Sequence, residues 1–146
     1  MNSTVASDTI TQEITIRSSA ARIFEALTIP DQLVKWWGAE GRFQTTHMES
    51  DLRPGGEGMM SGTGIGGRPF RVAGVYREVE RPHLLVFTWL PDWDKNAAET
   101  VVRIDIDEND GVTNVRLTHS GLSEASREQH RGWPQILGWL QAYVED

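Results

Sequence analysis

The sequence predicts an α+β domain in which a curved antiparallel sheet of about six or seven strands wraps on a long C-terminal helix. Three observations carry this expectation. From Gln44 to Ser120 the chain is a succession of short alternating segments separated by turn signals, so neighbouring strands pair antiparallel. Helical patterning is confined to the two ends of the chain. At the C-terminal end Trp133, Ile136, Leu137, Leu140 and Val144 recur at offsets of 0, +3, +4, +7 and +11, one apolar stripe of a helix that needs a broad apolar surface to lie on.

In chain order, Met1 to Asp8 is polar without an apolar signal core and reads as a loose tail preceding a single domain over 9–146. Thr9 to Arg17 sets Ile10, Ile14 and Ile16 against Glu13, Thr15 and Arg17, a strand with one buried face. Ser18 or Ser19 caps a helix carrying Ile23, Phe24 and Leu27 on one side, which stops before Pro30. Pro30-Asp31 opens a second short helix ending at Gly38, a usual residue just past a helix end. Six strands follow, over 44–52, 57–62, 68–80, 83–90, 99–107 and 112–120, giving the order β-α-α-β6-α. The breaks are Arg53-Pro54-Gly55-Gly56, Gly64 to Arg68, Arg81-Pro82, Pro91 to Asn96 and Asn109-Asp110-Gly111, the last a strong short-hairpin signal. Alternation turns Val102, Ile104, Ile106, Val115, Leu117 and His119 inward, while Leu84 and Val86, and Val75 and Val79, blur the choice on their strands. Ser123 caps the last helix, but Gly132 and Pro134 interrupt it, which predicts either a kinked helix or a short turn over 123–131 followed by a firm helix from about Trp133, the outer half able to move independently.

Composition narrows the function. With 14 basic and 21 acidic side chains the net charge is −7, which argues against nucleic acid and anionic membrane as main partners. No apolar run is long enough to insert in a membrane. The absence of cysteine removes disulfides, zinc-thiolate sites and a thiol nucleophile, and fits a cytoplasmic protein. Six tryptophans imply a bulky core or an aromatic-lined pocket.

Several motifs in fixed order resemble a known family over Ile14 to Val144: Trp36-Trp37-Gly38, Asp51-Leu52-Arg53-Pro54-Gly55-Gly56, Gly74-Val75-Tyr76-Arg77-Glu78-Val79 with Arg81-Pro82, Leu85-Val86-Phe87-Thr88-Trp89, Leu117-Thr118-His119-Ser120-Gly121-Leu122, and Gly132-Trp133. Together they resemble the START-like, or Bet v 1-like, helix-grip superfamily, and more closely the branch named after the C-terminal domain of the activator of Hsp90 ATPase. The resemblance implies a helix-grip fold with a cavity between sheet and last helix. It leaves function open among binders of lipids and hormones, polyketide cyclases and aromatases, and co-chaperone domains.

A cavity under the last helix would draw its lining from Trp37, Met48, Met60, Phe70, Tyr76, Phe87, Trp89, Leu117, His119, Trp133 and Leu137. Core packing explains any one of these positions; so many large rings beside Gly74 and the Gly62–Gly67 run suit a sheet that bends around a hole. The expected occupant is a small hydrophobic or aromatic molecule. His119 is either a polar anchor, even a general acid/base with Tyr76 in a cyclase-type enzyme, or a histidine satisfied within the core. No nucleophile or oxyanion donor pair stands beside it, and no cofactor is implied. The four histidines occur singly, and His47-x-Glu49-x-Asp51 has the spacing of a solvated strand face, so no metal site is expected. The glycine run lacks a phosphate-loop ending and reads as a hairpin loop at the cavity mouth. Arg53 either recognises an anion or ties its turn to a carboxylate such as Asp51 or Glu78. Trp139 with Tyr143 forms a second aromatic edge, packed on the first helices or meeting a second copy in a homodimer. The remaining partner is a chaperone, through an exposed apolar patch around Trp36 and Trp139.

Overall fold

The computed structural model describes residues 9–39, 41–93, 98–124, 127 and 130–145; the expected N-terminal tail lies outside them. Strand β1 (Ile10–Ile16) leads into helices α1 (Ala20–Thr28) and α2 (Pro30–Trp36). Strands β2 (Gly38–Ala39), β3 (Phe43–Ser50), β4 (Glu57–Thr63), β5 (Pro69–Glu80), β6 (Leu84–Pro91), β7 (Thr100–Asn109) and β8 (Val112–Ser120) follow, then helix α3 (Trp133–Glu145). They form one antiparallel sheet in the order β1-β8-β7-β6-β5-β4-β3-β2. The strand count is thus eight, against the six or seven expected. The additional strand, β2, pairs two residues with β3 (Gly38 with Gln44, Ala39 with Phe43), too few for alternation to register.

The local signals act as their chemistry dictates. Ser19 caps α1 by accepting the Arg22 N–H at 3.1 Å, and the Glu108 carboxylate takes the Ala20 N–H at 2.7 Å. Pro30 starts α2, whose Trp36 indole donates to the Ala26 carbonyl at 2.9 Å and ties the two helices together. Gly38 then turns the chain into β2 with φ of 135°, a conformation that suits glycine. The last helix starts at Trp133, with Pro134 in its first turn where a missing N–H costs nothing. Of the expected turn over 123–131, Arg127 N–H bonds the Ser123 carbonyl at 2.9 Å, while 125, 126, 128 and 129 lie outside the described residues.

The sheet curls where two of its ladders are broken. The β3–β4 register shifts between Thr45 and His47, and the β5–β6 register between Tyr76 and Glu78. The second shift explains the blurred face of β5: with one extra residue, Val79 returns to the same side as Tyr76, and both join the core. At Gly74 the neighbouring strand comes so close that a Cβ would be driven into the Thr88 carbonyl, and the Thr88 hydroxyl, not a backbone carbonyl, accepts the Val75 N–H at 2.8 Å. The concave face so formed carries Val72, Tyr76, Leu85, Trp89, Val102, Ile104, Val115 and Leu117 against α1, α2 and α3.

Gly74→Ala should therefore lower unfolding stability by about 1–3 kcal/mol in urea titrations, because β5 and β6 must separate to admit a methyl group. A loss below about 0.5 kcal/mol would show that the bend does not depend on that close approach.

Candidate functional site

The interface between sheet and last helix is filled. Trp133, Ile136, Leu137 and Leu140 lie against Val102, Ile104, Val115 and Leu117 with Leu27, Trp36 and Trp37 beside them, leaving about 10 Å³. Among the described residues the expected cavity at this place is filled, because Trp36 at the end of α2 and Trp37 just past it occupy the concavity alongside the helix. Leu117 and Leu137 are consequently core residues.

Open volume lies instead towards the β3–β5 side of the sheet. A gap of about 60 Å³ is bounded by Trp37, Met48, Met60, Tyr76, Phe87 and Trp89, with Gly58 and Gly74 in its floor. Next to it an open cleft of about 630 Å³ runs between the ends of β3 to β6 and the start of α3. Six aromatic residues line it: Trp37, Phe43, Phe70, Trp89, Trp93 and Trp133. Their rings meet edge to face, Phe43 with Phe70 at 5.6 Å, Phe70 with Trp93 at 6.3 Å and Trp37 with Trp133 at 6.0 Å. Met60, Val72 and Ile136 complete the apolar wall, while Arg42, Arg68, Asp92, His130 and Gln135 supply the polar groups. Of the residues expected to line a site, Trp37, Met60, Phe70, Trp89 and Trp133 meet in this cleft, and Met48, Tyr76 and Phe87 border the smaller gap.

His119 stands apart from both spaces. It is fully buried on β8, and both ring nitrogens are engaged. The Trp133 indole N–H donates to Nδ1 at 3.2 Å, which leaves the ring proton on Nε2; that N–H donates to the Thr100 hydroxyl at 2.7 Å. The Thr100 hydroxyl in turn donates to the Trp89 carbonyl at 3.3 Å. Every donor and acceptor is satisfied with the imidazole neutral. Burial, and secondarily the neighbouring His130, hold its pKa down at about 3. His130 bridges this network to the cleft, accepting the Trp89 indole N–H at 3.0 Å with its ring 4.9 Å from that of His119.

The other polar candidates are also accounted for locally. The Tyr76 hydroxyl shares a 2.7 Å hydrogen bond with Ser50, and burial raises its pKa more than that bond lowers it, so it stays protonated. Tyr76 and His119 therefore have separate partners and do not form an acid/base pair. Arg53 pairs with Asp51 at 2.9 Å within its own exposed turn, and His47 with Glu49 at 2.8 Å on the surface. No group of three potential metal ligands occurs among the described residues. Trp139 packs on Phe43 at 5.6 Å, and Tyr143 lies under the Arg22 guanidinium at 5.0 Å, so the second aromatic edge is used within the chain.

Arg42, Phe43, Arg68, Asp92, Trp93, His130 and Ile136 are among the cleft residues that the sequence did not assign to a site. Phe43 and Trp93 fall at or beyond the ends of the alternating segments, where period-two reasoning has no hold. The one available signal was the glycine run: Gly64 and Ile65 do stand at the cleft mouth, the latter 73% exposed.

A curled antiparallel sheet closed by a C-terminal helix, with an aromatic cleft at one end, defines a helix-grip domain. The chain belongs to the Activator of Hsp90 ATPase homolog 1-like protein family, whose model matches residues 17–145. Among solved structures it is similar to a protein from Chromobacterium violaceum at 24% identity and a TM-score of 0.85, covering 95% of this chain and 98% of that one. An AHSA1-like protein from Aeromonas hydrophila matches at 26% identity and a TM-score of 0.76, over 94% and 92% of the two chains. An HSP90 activator from Plasmodium falciparum shares the fold at 17% identity and a TM-score of 0.72, over 94% and 96%. No curated protein matches the chain. No described helix is long and apolar enough to cross a membrane.

The His119 network fixes a pH dependence. The unfolded chain takes up the proton near the ordinary value of 6.5 and the folded chain only near 3, so folding excludes a proton between these values and stability falls as pH drops from 6.5 towards 3. His119→Phe should cost about 2 kcal/mol at neutral pH by leaving the Trp133 N–H unpaired and removing the donor to the Thr100 hydroxyl. That deficit should shrink by about 3 kcal/mol near pH 4.5, enough to remove it, because only the wild type carries the proton penalty. A pH-independent deficit in urea unfolding would contradict a neutral buried imidazole.

Proposed function

We propose that this protein binds a small, largely apolar or aromatic molecule in the open cleft between the ends of β3 to β6 and the start of α3. The observation that carries this reading is the lining: six aromatic residues around about 630 Å³, within the size range of small-molecule sites. Aromatic faces set edge to face present both ring faces and ring edges, which suits another flat ring. Binding, not catalysis, is favoured because His119 and Tyr76 each have their polar atoms committed inside the protein. The wall formed by Trp89 and Trp133 is held by hydrogen bonds to His130 and His119, so the site is largely preorganised.

The fluorescent probe N-phenyl-1-naphthylamine, uncharged and aromatic, should bind with a rise in emission and quench the cleft tryptophans. Ile136→Trp, which places a second indole into the cleft from α3, should weaken that binding about tenfold while leaving the far-ultraviolet circular dichroism unchanged. Equal binding by the two proteins would place the probe elsewhere and remove support for this cleft.

Family membership favours one second reading, a chaperone-accessory role. Its surface would be the cleft mouth, where Ile65 and Trp93 are 73% and 45% exposed, in place of Trp36, which is buried. Under that reading immobilised wild-type protein retains purified Hsp90 and changes its ATP turnover, and Ile65→Asp with Trp93→Asp abolishes both. No retention of Hsp90 by the wild type would rule it out.

A further inference from the structure

The cleft has a charged rim on one side, and that rim is built by two hairpin turns at the same end of the sheet. Arg42 closes the β2–β3 turn, its N–H bonded to the Ala39 carbonyl at 3.0 Å. Arg68 follows the 3₁₀ turn Ile65–Gly67 between β4 and β5. The register brings the two together: Gln44 lies opposite Thr63, and Thr63 opposite Pro69. Phe43 and Phe70, one and two residues further along the chain from the arginines, consequently meet at 5.6 Å. Their strands are two spacings apart, about 10 Å, so two long guanidinium side chains above this ring pair can converge on one group. Neither arginine takes part in an ion pair: among the described residues the pairs are His47–Glu49, Arg53–Asp51 and Arg103–Asp105. Among the described residues one acidic group, Asp92, also lines the cleft, and its Oδ1 is engaged by the Arg71 N–H at 3.0 Å. The described cleft-lining side chains thus include two arginines against one carboxylate, on a chain whose net charge is −7.

We propose that the cleft selects flat apolar molecules that carry an anionic oxygen group, a carboxylate or a sulfonate, which Arg42 and Arg68 hold at the rim while the rings enter between Phe43, Phe70, Trp93 and Trp133. This rests on the reading of the cleft as a ligand site and adds its chemical selectivity. Guanidinium groups present paired N–H donors that match the two oxygens of such a group, and they remain charged at any physiological pH. The apolar part of the ligand contributes most of the affinity; the arginines decide which apolar molecules stay.

Two probes of nearly the same shape separate the claims. 8-Anilinonaphthalene-1-sulfonate carries the anion, and N-phenyl-1-naphthylamine is its uncharged counterpart. The wild type should bind the sulfonate more tightly than the amine, and Arg42→Gln with Arg68→Gln should weaken the sulfonate about tenfold while changing the amine less than about twofold. Arg42→Lys with Arg68→Lys should recover part of the loss. The preference for the sulfonate should also fade as ionic strength rises from about 0.01 M to 1 M, over which the screening length falls from about 30 Å to 3 Å. Both arginines are exposed, so circular dichroism and thermal unfolding of the variants should match the wild type. Equal affinity for the two probes, or a sulfonate affinity indifferent to the arginines, would overturn the anion selectivity and leave the cleft as a site for neutral molecules. Binding of neither probe would overturn both.

Discussion

One buried chain of hydrogen bonds, from the Trp133 indole through His119 and Thr100 to the Trp89 backbone, fixes the start of α3 and with it the inner wall of the cleft. It joins the first residue of α3 to three adjacent strands, β8, β7 and β6. A buried polar group left unpaired costs about 1–3 kcal/mol, so α3 cannot slide or lift at this corner without unpairing the Trp133 donor and the His119 acceptor together. With its start fixed, the helix lies flat in the concavity, and Leu137, Leu140 and Val144 seal against the sheet and α1. What remains open is the part of the sheet the helix does not reach, beyond Trp133 towards β3, β4 and β5. The same residues that close the space under the helix therefore form the inner wall of the cleft beside it.

A histidine suits this position better than most alternatives. The Trp133 indole can only donate, and the Thr100 hydroxyl must itself donate onward to a backbone carbonyl. The residue between them has to accept on one side and donate on the other, across a rigid spacing. A neutral imidazole does both with one ring. The low pKa that burial imposes is then the condition for the network, since a protonated ring would face the indole with a second donor.

The sequence made the fold legible because both periodicities were undisturbed over long stretches. Alternation on β1, β7 and β8 and the α3 stripe named core residues correctly, and the Gly132-Pro134 break located the start of α3 at Trp133. Four features escaped for physical reasons. A two-residue strand has no period. The bulge at Tyr76–Glu78 reverses the phase of β5, so both Tyr76 and Val79 point inward although a regular strand would put them on opposite faces. Inward orientation also does not distinguish a filled interior from an empty one: Trp37 and Leu117 were equally expected to line a cavity, and only Trp37 does. That outcome depends on whether side chains from separate elements happen to fill a shared volume, which no local pattern encodes. Phe43, Trp93 and the two rim arginines lie at strand ends and in turns, where sequence indicates a change of direction and says nothing of what the new direction faces.

The charge distribution bears on how such a cleft would discriminate. At physiological ionic strength the screening length is about 8 Å, so the net charge of −7 acts on an approaching anion only over short distances. An anion that reaches the rim meets Arg42 and Arg68, against the Asp92 carboxylate, whose Oδ1 accepts from the Arg71 N–H. Repulsion from the surface and attraction at the rim then oppose each other, and both grow as salt falls. Small anions without apolar surface would gain little from a solvent-exposed rim, because exposed ion pairs are worth only about 0.2–1 kcal/mol each. An apolar molecule gains from burial against the rings whatever its charge. Retention of one class over the other therefore requires both parts in a single molecule, with the anionic group displaced from the ring system to reach the level of Phe43 and Phe70. In such a site the aromatic lining would set the depth, and the two turns would set where along it a charge is tolerated.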